Sequence, residues 1–200
     1  MVESIPVTDF KDLTKLYTDK KQNRDPARSE LRPIHALDTE TYNGNIFLIA
    51  DSDGRLLDDI NAESVLDFLF SRKYEGSWNF FWNITYDAEV ILKLLGNALF
   101  SYSKNHKLSF QFADYRIRYI PDKSLRIKKG HHSVTFYDIA QYFSRSGLAK
   151  AYQDNIGQLP QDYLTFKAVR NEFSSRFYDR NKQRVRKYCV QDCKFTKDLA

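Results

Sequence analysis

From Ile34 onward the chain switches repeatedly between two spacings of apolar residues, every second position and every third or fourth. IHALDTE (34–40) predicts a short strand running into acidic residues, and NIFLIAD (45–51) a second strand after a YNGN turn. In AESVLDFLFSR (62–72), Val65, Phe68 and Leu69 recur at helical spacing, with Asn61 placed to cap them. SWNFFWN (77–83) predicts an aromatic strand, and YDAEVILKLL (86–95) a helix ended by Gly96. Residues 108–139 alternate apolar and polar with turns at PDK and KKG, the pattern of a β-meander. A short helix follows from Gly147 to Ile156, ended by Gly157. A last helix over 181–200 carries Val185, Tyr188, Asp192, Phe195 and Leu199 on one face. The class is α/β.

Residues 1–33 differ in texture. Phe10, Leu13, Leu16 and Tyr17 outline a short amphipathic helix, and the polar, Pro-bearing TDKKQNRDPARSELRP reads as a linker. The expected organisation is an N-terminal arm (1–33) and one domain (34–200). No Gly, Asn or Pro stop signal precedes the end of the last helix, so the domain is expected to be truncated there, as a piece of a longer protein.

Composition narrows the class. The chain has 200 residues, 42% of them hydrophobic and 15% aromatic, with 7 Gly and 5 Pro, which excludes collagen-like, low-complexity and wholly disordered chains. No apolar run approaches a membrane span, and the start MVESIPVTDFKDL lacks the order of a signal peptide. The expectation is an intracellular protein, cytoplasmic or at a nucleoid or viral replication site, neither secreted nor membrane-bound. Cys189 and Cys193 lie four apart on a predicted helix, too far for an internal disulfide and without further soft ligands for a metal clip.

The net charge of +5 hides an asymmetry: residues 1–100 carry 11 Lys and Arg against 17 Asp and Glu, whereas residues 101–200 carry 20 against 9. An acidic half joined to a basic half raises the question of an acidic pocket beside a track for a polyanion.

Three acidic features stand out. Asp38 and Glu40, at i and i+2 on a strand, share one face. Asp87 follows an aromatic strand where it opens into a helix, a place that also suits an N-cap. Asp192 sits on the apolar stripe of the last helix, and of the 13 tyrosines only Tyr188 is followed by Asp four residues later. A carboxylate on an apolar stripe is costly unless paired or metal-bound, and Arg184 or Arg186 is the local alternative partner.

Together, Asp38-x-Glu40, Asn83-x-x-Tyr86-Asp87 and Tyr188-x-x-x-Asp192 resemble the three motifs of the DEDD superfamily of 3′–5′ exonucleases, in the subclass with a tyrosine in the third motif. LDTETYNGN, HHSVTFYDIA and SGLAKAY are similar to the proofreading domain of protein-primed family B DNA polymerases. The resemblance spans about residues 34–200. It implies a ribonuclease-H-like fold, a mixed central sheet flanked by helices. It also implies Asp38, Glu40, Asp87 and Asp192 as ligands of two divalent cations, Mg²⁺ or Mn²⁺, with Tyr188 orienting the attacking water. Hard carboxylate oxygens suit those ions, and like charges this close need such compensation.

The implied activity is 3′–5′ hydrolysis of single-stranded or frayed DNA to nucleoside 5′-monophosphates, with a polymerase domain as partner in a longer natural chain. Asn83 and Tyr86 are expected to contact the strand. Arg126, Lys128 and Lys129 on the meander, or the basic run before the last helix, are expected to track its phosphates. Phe80, Phe81 and Trp82 read either as stacking surfaces or as core. Two other readings compete: an exoribonuclease of the same superfamily, and a non-catalytic nucleic-acid-binding module that keeps the fold.

Overall fold

A computed structural model describes residues 32–96, 107–169 and 175–200. The chain divides into two units, Met1–Arg32 and Pro33–Ala200, and the second carries every element below. The helix and linker expected in the arm lie outside the described residues, apart from Arg32 at its end.

Eight strands form one mixed sheet: β1 (Ile34–Tyr42), β2 (Asn45–Asp51), β3 (Leu56–Leu57), β4 (Trp78–Phe81), β5 (Leu108–Phe112), β6 (Tyr115–Ile120), β7 (Ser124–Lys129) and β8 (His132–Asp138). Their order is β3-β2-β1-β4-β8-β7-β6-β5. Only the middle is parallel, β1 with β4 and β4 with β8; both wings are antiparallel. Five helices flank it among the described residues: α1 (Ala62–Leu69), α2 (Ile84–Leu95), α3 (Leu148–Asn155), α4 (Gln161–Ala168) and α5 (Ser175–Asp198). The fold is α/β, with the mixed, helix-flanked sheet of a ribonuclease-H-like arrangement. No helix among the described residues is long and apolar enough to cross a membrane.

Local chemistry explains most boundaries. The β1–β2 hairpin turns through Asn43 and Gly44, both at positive φ, as a two-residue turn between right-twisted strands requires. Asn61 caps α1 in a reciprocal capping box with Ser64. Gly96 closes α2. The acidic residues lie inside the first strand, since β1 continues through Asp38–Glu40 to Tyr42. The last helix begins earlier than its pattern predicts, at Ser175, and loses helical geometry at Asn181.

Two apolar layers form. One sheet face packs Leu37, Ile49, Phe81, Ile117, Ile127 and Phe136 against Val65, Leu69, Ile84 and Ile91 of α1 and α2. The opposite face is covered over β1 and β2, where Leu48 and Ala50 meet Tyr163 and Phe166 of α4 and Val185, Tyr188 and Cys189 of α5. Both cysteines are buried, reduced thiols in this second layer.

Candidate functional site

The last parallel pair between β1 and β4 is Leu37 with Phe81. Beyond it β4 ends, while β1 runs on and presents Asp38 at its open edge. The chain leaving β4 reverses at Asn83, in the left-handed region (φ 59°), and enters α2 beside that edge. A cleft of about 450 Å³ forms there. Asp38, Thr39, Asn83, Tyr86, Asp87, Tyr188 and Asp192 line it, so three segments far apart in sequence meet at one place. Glu40 is buried (2% exposed) beside Asp38, with carboxylate oxygens of both grouped within 4.8 Å together with Cys189 Sγ.

Each carboxylate is held by a different neighbour. Asp87 lies in the first turn of α2, four residues past the cap position, so it is not the N-cap. Its Oδ1 accepts from the Thr39 amide (3.1 Å) and from Thr39 Oγ1 (2.6 Å), which ties α2 to β1. Asp192 Oδ1 accepts from the Tyr163 hydroxyl at 2.6 Å. Tyr163 also stacks on Tyr188, with ring centroids 5.0 Å apart and planes 11° from parallel. Burial, then the nearby Asp192 charge, raises the Tyr163 phenol pKa above its ordinary value, so Tyr163 is a neutral donor.

The local arginines do not pair with Asp192. Arg186 bonds Asp58, and the Arg184 guanidinium lies over the Phe166 ring.

Cys189 Sγ lies 3.7 Å from Asp38 Oδ2, as a donor. Burial pushes its pKa well up, so at neutral pH it is a thiol. Among the described residues, Asp38, Glu40 and Cys189 form the group close enough to share one ion, while Asp87 and Asp192 line the cleft outside that group.

The rim is set by a second chain of contacts. Thr85 Oγ1 donates to Asp122 (2.6 Å), and Arg145, a cleft-lining residue, pairs with Asp122 at 3.1 Å. Ser144 and Arg145 both adopt positive φ, a strained pair at the mouth of the cleft. Asp138, buried at the end of β8, accepts from the Ala140 amide (2.9 Å). Burial raises the Asp138 pKa above the usual carboxylate value.

Of the expected strand contacts, Asn83 and Tyr86 line the cleft, Tyr86 with its hydroxyl on Thr41. Trp82 lines it as well, whereas Phe81 is fully buried in the core. Arg126, Lys128 and Lys129 do not line it: they sit on β7, where Lys129 pairs with Asp114 (3.5 Å) and lies over the Tyr115 ring. Among the described residues, the cations that line the cleft are Arg145 and Lys167.

Sequence reading missed Tyr163 and Lys167, because helix α4 (QDYLTFKA) has no clear apolar face. Pro160, immediately before it, was the one available start signal. Matched against family models, curated proteins and solved structures, the chain finds no counterpart in any of the three.

Proposed function

We propose that the chain is a metal-dependent 3′–5′ exonuclease acting on single-stranded or frayed DNA, the proofreading portion of a protein-primed family B polymerase. One observation supports this most: Asp38, Asp87 and the Tyr188–Asp192 pair, carried by three separate segments, line a single cleft. Asp38, Glu40, Asp87 and Asp192 would hold two Mg²⁺ or Mn²⁺ ions. Bound there, the ions would supply charge neutralisation and activation for in-line displacement at phosphorus.

The protein's own groups have separable tasks. Tyr188, a neutral phenol, orients the attacking water by hydrogen bonding. Thr39 and Tyr163 fix the carboxylates of Asp87 and Asp192. Lys167 and Arg145 place positive charge where a phosphodiester enters. Trp82 and Tyr86 offer ring faces to an unpaired terminal base.

The test is digestion of 3′-labelled and 5′-labelled single strands, of DNA and of RNA, with Mg²⁺ or Mn²⁺ and with chelator. Mononucleotides released from the 3′ end of DNA, and lost in Asp87→Ala, are the expected result. Faster cleavage of RNA replaces the reading with an exoribonuclease. Binding without cleavage under every metal condition replaces it with a non-catalytic module.

A further inference from the structure

At the other end of the sheet face that α4 and α5 cover over β1 and β2, the side chains of β6 and β7 are exposed among the described residues. Strand alternation places Arg116 and Arg118 of β6 on this open face, while Tyr115, Ile117 and Tyr119 point into the core. Register extends the face sideways. Arg116 stands opposite Lys128, and Arg118 opposite Arg126. Lys107 and Ser109 continue it at β5, Ser109 being opposite Arg118.

Like charges directly opposed across strands repel, at side-chain separations of about 5 Å. Here two such pairs lie side by side, and no carboxylate interleaves them among the described residues. Among the described residues none of the five cations enters an ion pair, and together they line a shallow trough of about 520 Å³. The trough shares no residue with the acidic cleft.

The same face continues with different chemistry. Lys128 and Arg126 oppose Ser133 and Thr135 of β8, and two residues further along is Tyr137, which opposes Phe80 of β4. Trp78, two residues before Phe80, is 42% exposed and lies 5.7 Å from Tyr137, ring centre to ring centre. One sheet face thus runs from a basic band through hydroxyls to an aromatic band. Tyr137 is half-buried and Trp78 exposed; cations attract a polyanion, and ring faces add affinity only for bases that are not already paired.

We propose that this open face is a second binding surface, distinct from the cleft, for a single-stranded nucleic acid. Phosphates lie along Arg116, Arg118, Arg126 and Lys128, and bases stack on Trp78 and Tyr137. The inference goes beyond the proposed activity and does not need it. The strand's chemistry is shared with that activity, so the test is arranged for the two to fail separately.

The test measures binding of a fluorescent single-stranded oligonucleotide to the full chain in chelator, where hydrolysis is blocked, over a series of salt concentrations. Arg116→Ala/Arg118→Ala/Arg126→Ala/Lys128→Ala is expected to bind at least about tenfold more weakly. Its salt dependence is expected to be shallower by about 2–3 units of log K per log salt, since each lost phosphate contact removes roughly 0.7. These changes relieve repulsion on an exposed face, so the fold is expected to persist, with circular dichroism as the check. Trp78→Ala is expected to weaken single-strand binding roughly fivefold or more and to leave duplex binding unchanged.

Unaltered binding in the fourfold variant overturns the proposal. So does binding that disappears in Asp87→Ala but survives the fourfold change, because the strand then sits only in the cleft. Equal dependence on these cations for duplex DNA or phosphatidylserine vesicles, with no effect of Trp78→Ala, overturns the single-strand assignment.

Discussion

Tyr163 donates a 2.6 Å hydrogen bond to Asp192 from an element whose sequence shows no helical apolar face. The bond occupies one carboxylate oxygen and fixes the direction of the other. In Tyr163→Phe the stack on Tyr188 persists and the hydroxyl alone is lost. Loss of such a supporting partner typically weakens metal affinity or turnover by roughly ten- to a hundredfold. Mn²⁺ titration followed calorimetrically is expected to show that weakening, with near-native stability. Unchanged Mn²⁺ affinity and unchanged hydrolysis would mean that Tyr163 only packs.

Tyr188→Phe separates water orientation from cation binding. The proposed role predicts hydrolysis slowed by at least about tenfold, the worth of one well-placed hydrogen bond. Mn²⁺ affinity is expected to stay nearly unchanged. A large drop in that affinity contradicts the role.

Thr39 reaches Asp87 through both its amide and its hydroxyl. Thr39→Val removes the second contact and leaves a buried carboxylate short of one donor, at a cost of about 1–3 kcal/mol in urea unfolding. Thr39→Ser restores the donor and is expected to recover most of that loss. If valine and serine behave alike, the hydroxyl does not hold Asp87.

Asp51, fully buried at the end of β2, gives a pH dependence away from the cleft. Burial pushes its pKa up, but hydrogen bonds from Lys73 (2.5 Å) and Tyr74 (2.7 Å) and from the Arg55 amide prevail and hold it below 3.8. A lowered folded pKa means that this stabilisation is complete above the unfolded value and disappears as pH falls through the folded one. Asp51→Asn is expected to lose about 3 kcal/mol at neutral pH. The deficit should shrink on acidification. A deficit that stays constant through the acid range contradicts the assignment.

The strands were legible because alternation is local. YRIRYI announces β6 from its own letters, and NG marks the hairpin between β1 and β2. Asp38, Asp87 and Asp192 were legible as separate spacings, but their meeting depends on β1 outrunning β4, a tertiary fact absent from any one segment. Tyr163 and Lys167 were not legible, since each lines the cleft only through the docking of α4 on α5. Arg126 and Lys128 looked like part of a track into the acidic centre, yet β7 stands three places from β1 in the sheet, and they line a separate trough.

The division of labour between the first strand and the last helix has a consequence for synthesis. Asp38 emerges early, whereas Tyr188 and Asp192 belong to α5, the final element, which lies over β1 and β2. A nascent chain exposing only the sheet and α2 has three of the four carboxylates and no tyrosine above them. Docking of α5 buries Leu48 and Ala50 and brings Tyr188 and Asp192 to the cleft in the same step. A chain that lacks α5 lacks Tyr188 and Asp192, and with them one wall of the cleft.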